Sequence, residues 1–200
     1  MTFHSQAGQD QFAWHLLVRG MGIRRGTFWD VGCADNRNNN SLALEETGWG
    51  GVLVDSNAPT PEDRKRSWFL LSDATKINWS QFLDRPVVEY LSLDIDDGTL
   101  EALKNIPLDR VTFRVATIEH DAYRNQDRLR IPIREIMAGR GYRLLCANVK
   151  CQGMEFEDWF VMDGLVPPES CSLACDGKEW EEIINDLHRM VFYKNPTAQS

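Results

Sequence analysis

Long apolar runs are missing from this 200-residue chain. No window approaches the ~18 consecutive apolar residues needed to cross a bilayer, which excludes a helical membrane span. Met1 to Asp10 carries neither a charged n-region nor an apolar h-region, so no secretory signal is read there and a cytoplasmic location is expected. Positive charge is in deficit, with 22 Lys plus Arg against 30 Asp plus Glu and a formal net charge of -8. Nucleic-acid binders draw most of their affinity from neutralising phosphates, so that class of partner is disfavoured. The five cysteines, at 33, 146, 151, 171 and 175, form no CxxC pair. Zinc held by Cys146, Cys151, Cys171 and Cys175 is therefore weakly signalled, and ordinary buried thiols are the expectation. A GxGxxG loop is also missing, and with it the glycines that let a backbone approach a dinucleotide pyrophosphate.

What is there suits one sizeable hydrophobic core. Short β-branched and aromatic runs alternate with amphipathic stretches, the pattern of an α/β fold whose mostly parallel sheet carries helices on both faces. The spacing predicts a helix over 9–19, with Phe12 and Leu16 inward and Trp14 a further candidate, then strands over 27–31, 52–55, 68–71, 87–95 and 111–118. Ser41 is placed as the N-cap of a helix over 41–47 whose Glu45 and Glu46 face solvent. A charged helix is expected from Pro59 through Arg66, and further helices over 99–104, 128–140 and 180–189. Two late strands, 142–149 and 156–162, flank Gly153 as an antiparallel hairpin at the sheet edge. That makes seven strands. The expected organisation is a single domain over 1–200, with a helical lead-in to residue 25, a core over 26–165 and a C-terminal tail with a helix.

In an open α/β sheet, ligands bind beyond the carboxyl ends of the strands. Strand one ends at Asp30-Val31-Gly32-Cys33-Ala34-Asp35-Asn36 and strand two at Asp55-Ser56-Asn57. Strand three ends at Ser72-Asp73-Ala74, strand four at Asp94-Ile95-Asp96-Asp97 and strand five at Glu119-His120-Asp121. All five otherwise apolar strands thus end in a carboxylate. Asp55, 25 residues after Asp30, stands where a carboxylate accepts hydrogen bonds from the ribose of a nucleoside ligand. S-adenosylmethionine has no phosphate, so a loop with one well-placed glycine, Gly32, can hold it where a dinucleotide would need more.

Several stretches, in order and spacing, resemble the FkbM-type methyltransferases: Ser5-Gln6-Ala7-Gly8-Gln9-Asp10, Gly26-Thr27-Phe28-Trp29-Asp30-Val31-Gly32, and Ala43-Leu44-Glu45-Glu46 before Gly48-Trp49-Gly50-Gly51. Tyr90-Leu91-Ser92-Leu93-Asp94-Ile95-Asp96, Ile118-Glu119-His120, Gly141-Tyr142 and Phe156-Glu157-Asp158-Trp159 complete the set. The resemblance implies a seven-stranded Rossmann-like fold and O-methylation of a sugar or another small hydroxylated molecule. It places the donor, S-adenosylmethionine, over Gly32, Cys33, Ala34, Asp35 and Asn36, beside Asp30, Asn40 and Ser41. Asp55, with Ser56 and Asn57, falls to the ribose, Asp73 and Ala74 to the adenine edge, and Asp94 to the transferring methyl. Ser5, Gln9 and Asp10 would fold over the donor's amino-acid end. The chain departs from the pattern at Asn36, where a glycine is usual, at Asp55-Ser56 in place of Glu-Pro, and in the extra acid of Asp96-Asp97-Gly98.

An attacking hydroxyl must lose a proton, and two residues are candidates to take it. His120 is one, as the residue type most often used for proton transfer, and Asp94 is the alternative, acting directly or through a metal. Asp94, Asp96 and Glu119 together offer the oxygen ligands that Mg²⁺ prefers. Two other functions remain open: a catalytically silent donor-binding relative, and a nucleotide-dependent oxidoreductase, the latter opposed by the missing glycines. Trp29, Trp49 and Trp159 are read as core.

Overall fold

A computed structural model describes residues 1–33, 38–57, 64–173 and 175–190. The apolar runs form seven strands: β1 Thr27–Val31, β2 Gly50–Asp55, β3 Trp68–Leu71, β4 Val87–Leu93, β5 Thr112–Glu119, β6 Tyr142–Cys151 and β7 Met154–Met162. They make one sheet in the order β3-β2-β1-β4-β5-β7-β6. The first five pair in parallel, and β7 runs antiparallel to both β5 and β6. This is the Rossmann-like α/β architecture expected, with its antiparallel hairpin at one edge. Chain order reverses between β1 and β4, which makes their carboxyl ends the crevice of the fold.

Helices cover both faces. On one, α3 (Thr99–Asn105) and α5 (Asp127–Gly139) pack Leu103, Leu129, Ile133 and Met137 against Trp29, Leu91, Phe113 and Ile118. On the other, α1 (Gln9–Ala13), α2 (Leu42–Glu46) and α6 (Trp180–Arg189) bury Phe12, Leu44, Ile183 and Leu187 with Phe28, Tyr90 and Trp159. Trp29, Trp49 and Trp159 are core residues: Trp29 stacks on Trp79 and Trp159 on Phe12, with ring centroids 4.6 and 4.4 Å apart. A short α4 (Ala122–Asn125) follows β5. Among the described residues, no helix is long and apolar enough to cross a membrane.

Four local expectations are corrected. The opening helix is not continuous: after α1 the chain widens to a π-helical segment, Trp14–Gly20, which still buries Leu16 and Leu17. Ser41 does not cap α2 with its side chain; Asn39 Oδ1 does, accepting from Ser41 N and Leu42 N at 3.0 and 2.8 Å. Glu45 is not solvated but buried, because Arg64 Nε reaches it at 2.6 Å. The helix expected from Pro59 lies mostly outside the described residues, and its end at Arg64 to Arg66 is not helical.

The thiols also differ from expectation. Cys146 of β6 is joined to Cys175 by a disulfide spanning 29 residues, leaving Cys33, Cys151 and Cys171 free. The four-cysteine zinc set is ruled out, because two of its members are bridged. The bridge pins the chain before α6 along the outer edge of β6, where Gly177 N and Lys150 N complete backbone bonds at 2.8 Å. Closing a loop of that length restricts the unfolded chain by about 3–4 kcal/mol. Cys146→Ser is expected to lower the unfolding free energy by about that amount in urea titrations under non-reducing conditions; a loss under about 1 kcal/mol would mean the covalent link adds nothing to the packing.

Candidate functional site

The crevice is built by the turn after β1. Gly32 N and Cys33 N both donate to Val54 O of β2, at 2.8 and 3.1 Å, while Asp94 N donates to Val31 O at 2.9 Å. Gly32 adopts φ +86°, and a Cβ there would sit 1.7 Å from Asp94 O. Only glycine lets the turn pass this close to β4. The turn therefore holds the ends of β2 and β4 on either side of β1. Asp55, half-buried, ends β2 and accepts from Asn57 N at 2.8 Å. Ser56 and Asn57 beside it are exposed. Ala34, Asp35 and Asn36 lie outside the described residues.

Beneath that turn is a buried polar layer. Asp30 of β1 is wholly buried and accepts a short hydrogen bond from the Ser41 hydroxyl. Burial raises its pKa, against the pull of the Arg64 cation. Arg64 donates to Glu45 at 2.6 Å, Asn39 at 2.7 Å and Ser41 Oγ at 2.7 Å, lying over the Phe28 ring. Asn40 donates to Ser92 Oγ of β4 at 2.9 Å. Asn40 Oδ1 is buried with no hydrogen-bond partner, and Asp30 also interacts with the Ser92 hydroxyl of β4. Buried acceptors without donors are rare in folded proteins and mark places where a ligand or solvent supplies them.

Carboxyls crowd the ends of β4 and β5. Asp94 is just past β4, and β5 runs on to include Glu119, so the two acids meet across the pair. Burial first, then the Asp94 charge, pushes Glu119 far up, while Asp94 is raised by burial to about 6. Glu119 also accepts from Asp96 N at 2.8 Å. Asp96 and Asp121 both take left-handed backbone angles, φ 52° and 46°. Such angles cost non-glycine residues energy, and Asp tolerates them better than most. Arg124 closes the cluster on the solvent side, 3.1 Å from Asp121 and 3.2 Å from Asp96.

Among the described residues, a metal-like triad is formed by Asp96, Glu119 and Asp121, whose ligand oxygens lie within 4.8 Å of one another. The expected triad had Asp94 in place of Asp121. Asp94 instead sets its carboxylate beside Glu119, and the left-handed turn at residue 121 brings a third acid in.

Three further expectations are corrected by burial. His120 is wholly buried: Nδ1 accepts from Ala122 N at 3.1 Å, and Nε2 lies 3.4 Å from Asp158 Oδ1. The ring is closed off from solvent, which sets it apart from the open end of the crevice. Its partner Asp158, raised by burial, is brought net below the usual carboxylate range by hydrogen bonds from Arg134 and His120. Ala74 packs in the core, and Cys33 is buried with its thiol pushed up by desolvation, so neither side chain faces a ligand. Asp73 is on the surface but caps a short 3-10 turn, bonded to Thr75 and Lys76; those bonds lower it to about 2.

Sequence reasoning missed two buried participants. Arg64 belongs to a charged stretch with no periodic signal. Glu157 of β7 lies directly opposite Glu119 in the sheet register, wholly buried, and accepts from Trp159 Nε1 at 2.7 Å. A charged Glu-Asp pair inside the apolar run 156–162 was the one hint it offered.

No known family model matches the chain, and no curated protein matches it by sequence. Solved structures do. A proposed rRNA methylase from Clostridium thermocellum superposes with a TM-score of 0.52 at 11% identity, over 80% of this chain and 97% of that one. A proposed caffeoyl-CoA O-methyltransferase from Staphylococcus aureus gives 0.50 at 8% identity, over 77% and 82%. A proposed methyltransferase from Streptococcus mutans, solved with S-adenosylhomocysteine, gives 0.49 at 13% identity, over 76% and 93%. At these identities the first two establish a shared fold.

Proposed function

We propose that this chain is an S-adenosylmethionine-dependent methyltransferase, of the FkbM type its motifs resemble, that methylates a hydroxyl of a sugar, polyol or similar small molecule. One observation carries the reading: the half-exposed Asp55 stands beside a close-packed single-glycine turn, with Asp94 on the other side of the same strand. That is the arrangement a phosphate-free nucleoside with a reactive tail requires. The fold shared with two proposed methyltransferases agrees with it.

The donor brings a methyl group on a sulfonium centre, electrophilic without further activation. The chain's task is to hold two partners in line and remove one proton. Asp55 accepts hydrogen bonds from ribose hydroxyls. Gly32 lets the turn close against β4 and so holds Asp55 and Asp94 on either side of β1, and Asn40 Oδ1 is a buried acceptor with no protein partner. Asp94 is the base: as a carboxylate it accepts the hydroxyl proton, beside Glu119 at the end of the neighbouring strand. Asp94, Asp96, Asp97, Glu119 and Asp121 ring the acceptor side, offset by Arg124 and Arg128. Carboxylates bind hydroxyls and repel phosphates, which favours a sugar or polyol over nucleic acid. Mg²⁺ fits the same place: Asp96, Glu119 and Asp121 would hold it, and the ion would acidify a bound hydroxyl.

Calorimetric titration of S-adenosylhomocysteine into wild type and Asp55→Ala, each with and without Mg²⁺, tests this. Micromolar binding by wild type, weakened at least about tenfold in the variant, is expected from losing charged hydrogen bonds. No binding by wild type in either condition overturns the reading.

A further inference from the structure

Among the described residues, β3 is the outermost strand on its side of the sheet. Unpaired backbone groups recruit other strands, so natural edge strands are blunted by charge, proline or a bulge. This one reads Trp68-Phe69-Leu70-Leu71, with Trp68 69% and Leu71 67% exposed. It is also firmly anchored. Glu45 accepts from Arg66 N and Ser67 Oγ at its start, each at 2.6 Å, and Ser72 N donates to Asp55 O of β2 at 2.8 Å at its end. That last bond fixes the strand's phase. Residues of a strand turn their N–H and C=O to alternate sides. With Ser72 turned to β2, Phe69 and Leu71 point their backbone groups to the open edge. The flanks carry opposite charge: Lys65 and Arg66 precede the strand and Asp73 follows it, all three exposed. Asp73 keeps that exposure although it also meets Lys76 at 2.7 Å.

We propose that β3 is the seat of a two-fold dimer, in which β3 of a second copy of this chain adds antiparallel along the open edge. The charges favour a second copy. Antiparallel addition of the same strand lays the Lys65-Arg66 end of each copy beside Asp73 of the other, and the two-fold repeats the match at both ends. Parallel addition would set like charges together. With Phe69 and Leu71 outward, centring the two-fold on Phe69 brings Lys65 level with Asp73. Phe69 then bonds its own counterpart, and Ser67 faces Leu71 of the other copy. Opposite residues share a face of the sheet, so each Trp68 covers a Leu70 on one side while the two Phe69 rings meet on the other. One continuous sheet runs through both copies, and the exposed apolar patch is covered. None of this depends on what the crevice binds.

Sedimentation velocity of the full chain over a concentration series tests the dimer. Wild type is expected to associate with a micromolar Kd. Trp68→Lys and Leu71→Lys change exposed positions and should each raise that Kd at least about tenfold. Two charge reversals test the pairing itself. Lys65→Glu with Arg66→Glu in one protein, and Asp73→Lys in another, set like charges together at both ends and should each weaken association at least about threefold. An equimolar mixture of those two proteins restores opposite charges at both ends, and should associate within about twofold of wild type. Loss of the Asp73 turn could not be repaired by mixing, so recovery reports the contact between copies. A wild type that stays monomeric at about 100 µM overturns the proposal and leaves the edge to an extended segment of a different protein. A dimer that Trp68→Lys and Leu71→Lys leave intact, or a mixture no better than its components, overturns it as well.

Discussion

Replacing Glu45 with alanine is expected to lower the unfolding free energy by about 3–5 kcal/mol. Arg64 is buried with its guanidinium on Glu45, and the same carboxylate accepts from Arg66 N and Ser67 Oγ, each at 2.6 Å. Removing Glu45 leaves a buried cation uncompensated and two further donors unmet. The cost comes mainly from the orphaned charge, so removing both charges should recover much of it: Glu45→Leu with Arg64→Met is expected to unfold within about 2 kcal/mol of wild type. The loss is not only local. Arg64 also donates to Asn39 and Ser41, so it ties the chain leading into β3 to the loop after β1. Donor affinity should therefore weaken in Glu45→Ala even at temperatures where it remains folded. Urea titrations of the three proteins decide this; a single variant within about 1 kcal/mol of wild type would mean that Arg64 finds water in the folded state.

That pair also shows what the sequence could and could not reveal. Strands and helices were legible because their signals are local: apolar runs bounded by Gly, Pro and Asp, and for α6 an amphipathic period that marks Trp180–Arg189 at both ends. Glu45 was misplaced because α2 by itself gives it a solvent-side position, while its partner arrives from 19 residues away through a segment with no periodic pattern. The disulfide hid for a similar reason, since nothing in the spacing of 146 and 175 shows that β6 and the chain before α6 lie side by side. The carboxylates at the strand ends were readable as a group because strand ends are readable. Their division of labour was not. His120 and Glu119 are adjacent in sequence, yet His120 N and Asp121 N both bond to Phe156 O of β7, which turns the histidine under the sheet edge while Glu119 stays in the crevice. Which side chain lies at the strand ends and which is turned inward was set by a strand that follows 36 residues later in the chain.

Asp94→Asn should cut turnover sharply while sparing the donor. Asparagine keeps the size but cannot accept a proton from a hydroxyl. Loss of a positioned base lowers kcat by about 10²–10⁴-fold, while S-adenosylhomocysteine affinity should stay within about threefold of wild type. The pH profile separates this role from a structural one. Burial raises Asp94 to about 6, so a growing share of the enzyme carries a protonated, inactive base as pH falls through that value. The wild-type kcat/KM should then rise from pH 5 to pH 7 and level off, and the residual rate of Asp94→Asn should lack that limb. His120→Gln provides the contrast. His120 is buried against Asp158 and Ala122, so its loss should lower stability and leave the acid limb where it was. A limb that disappears in His120→Gln and persists in Asp94→Asn would reverse the assignment. A limb that moves with Mg²⁺ concentration would place the proton-removing power in an ion held by Asp96, Glu119 and Asp121, with Asp94 reduced to orienting the hydroxyl.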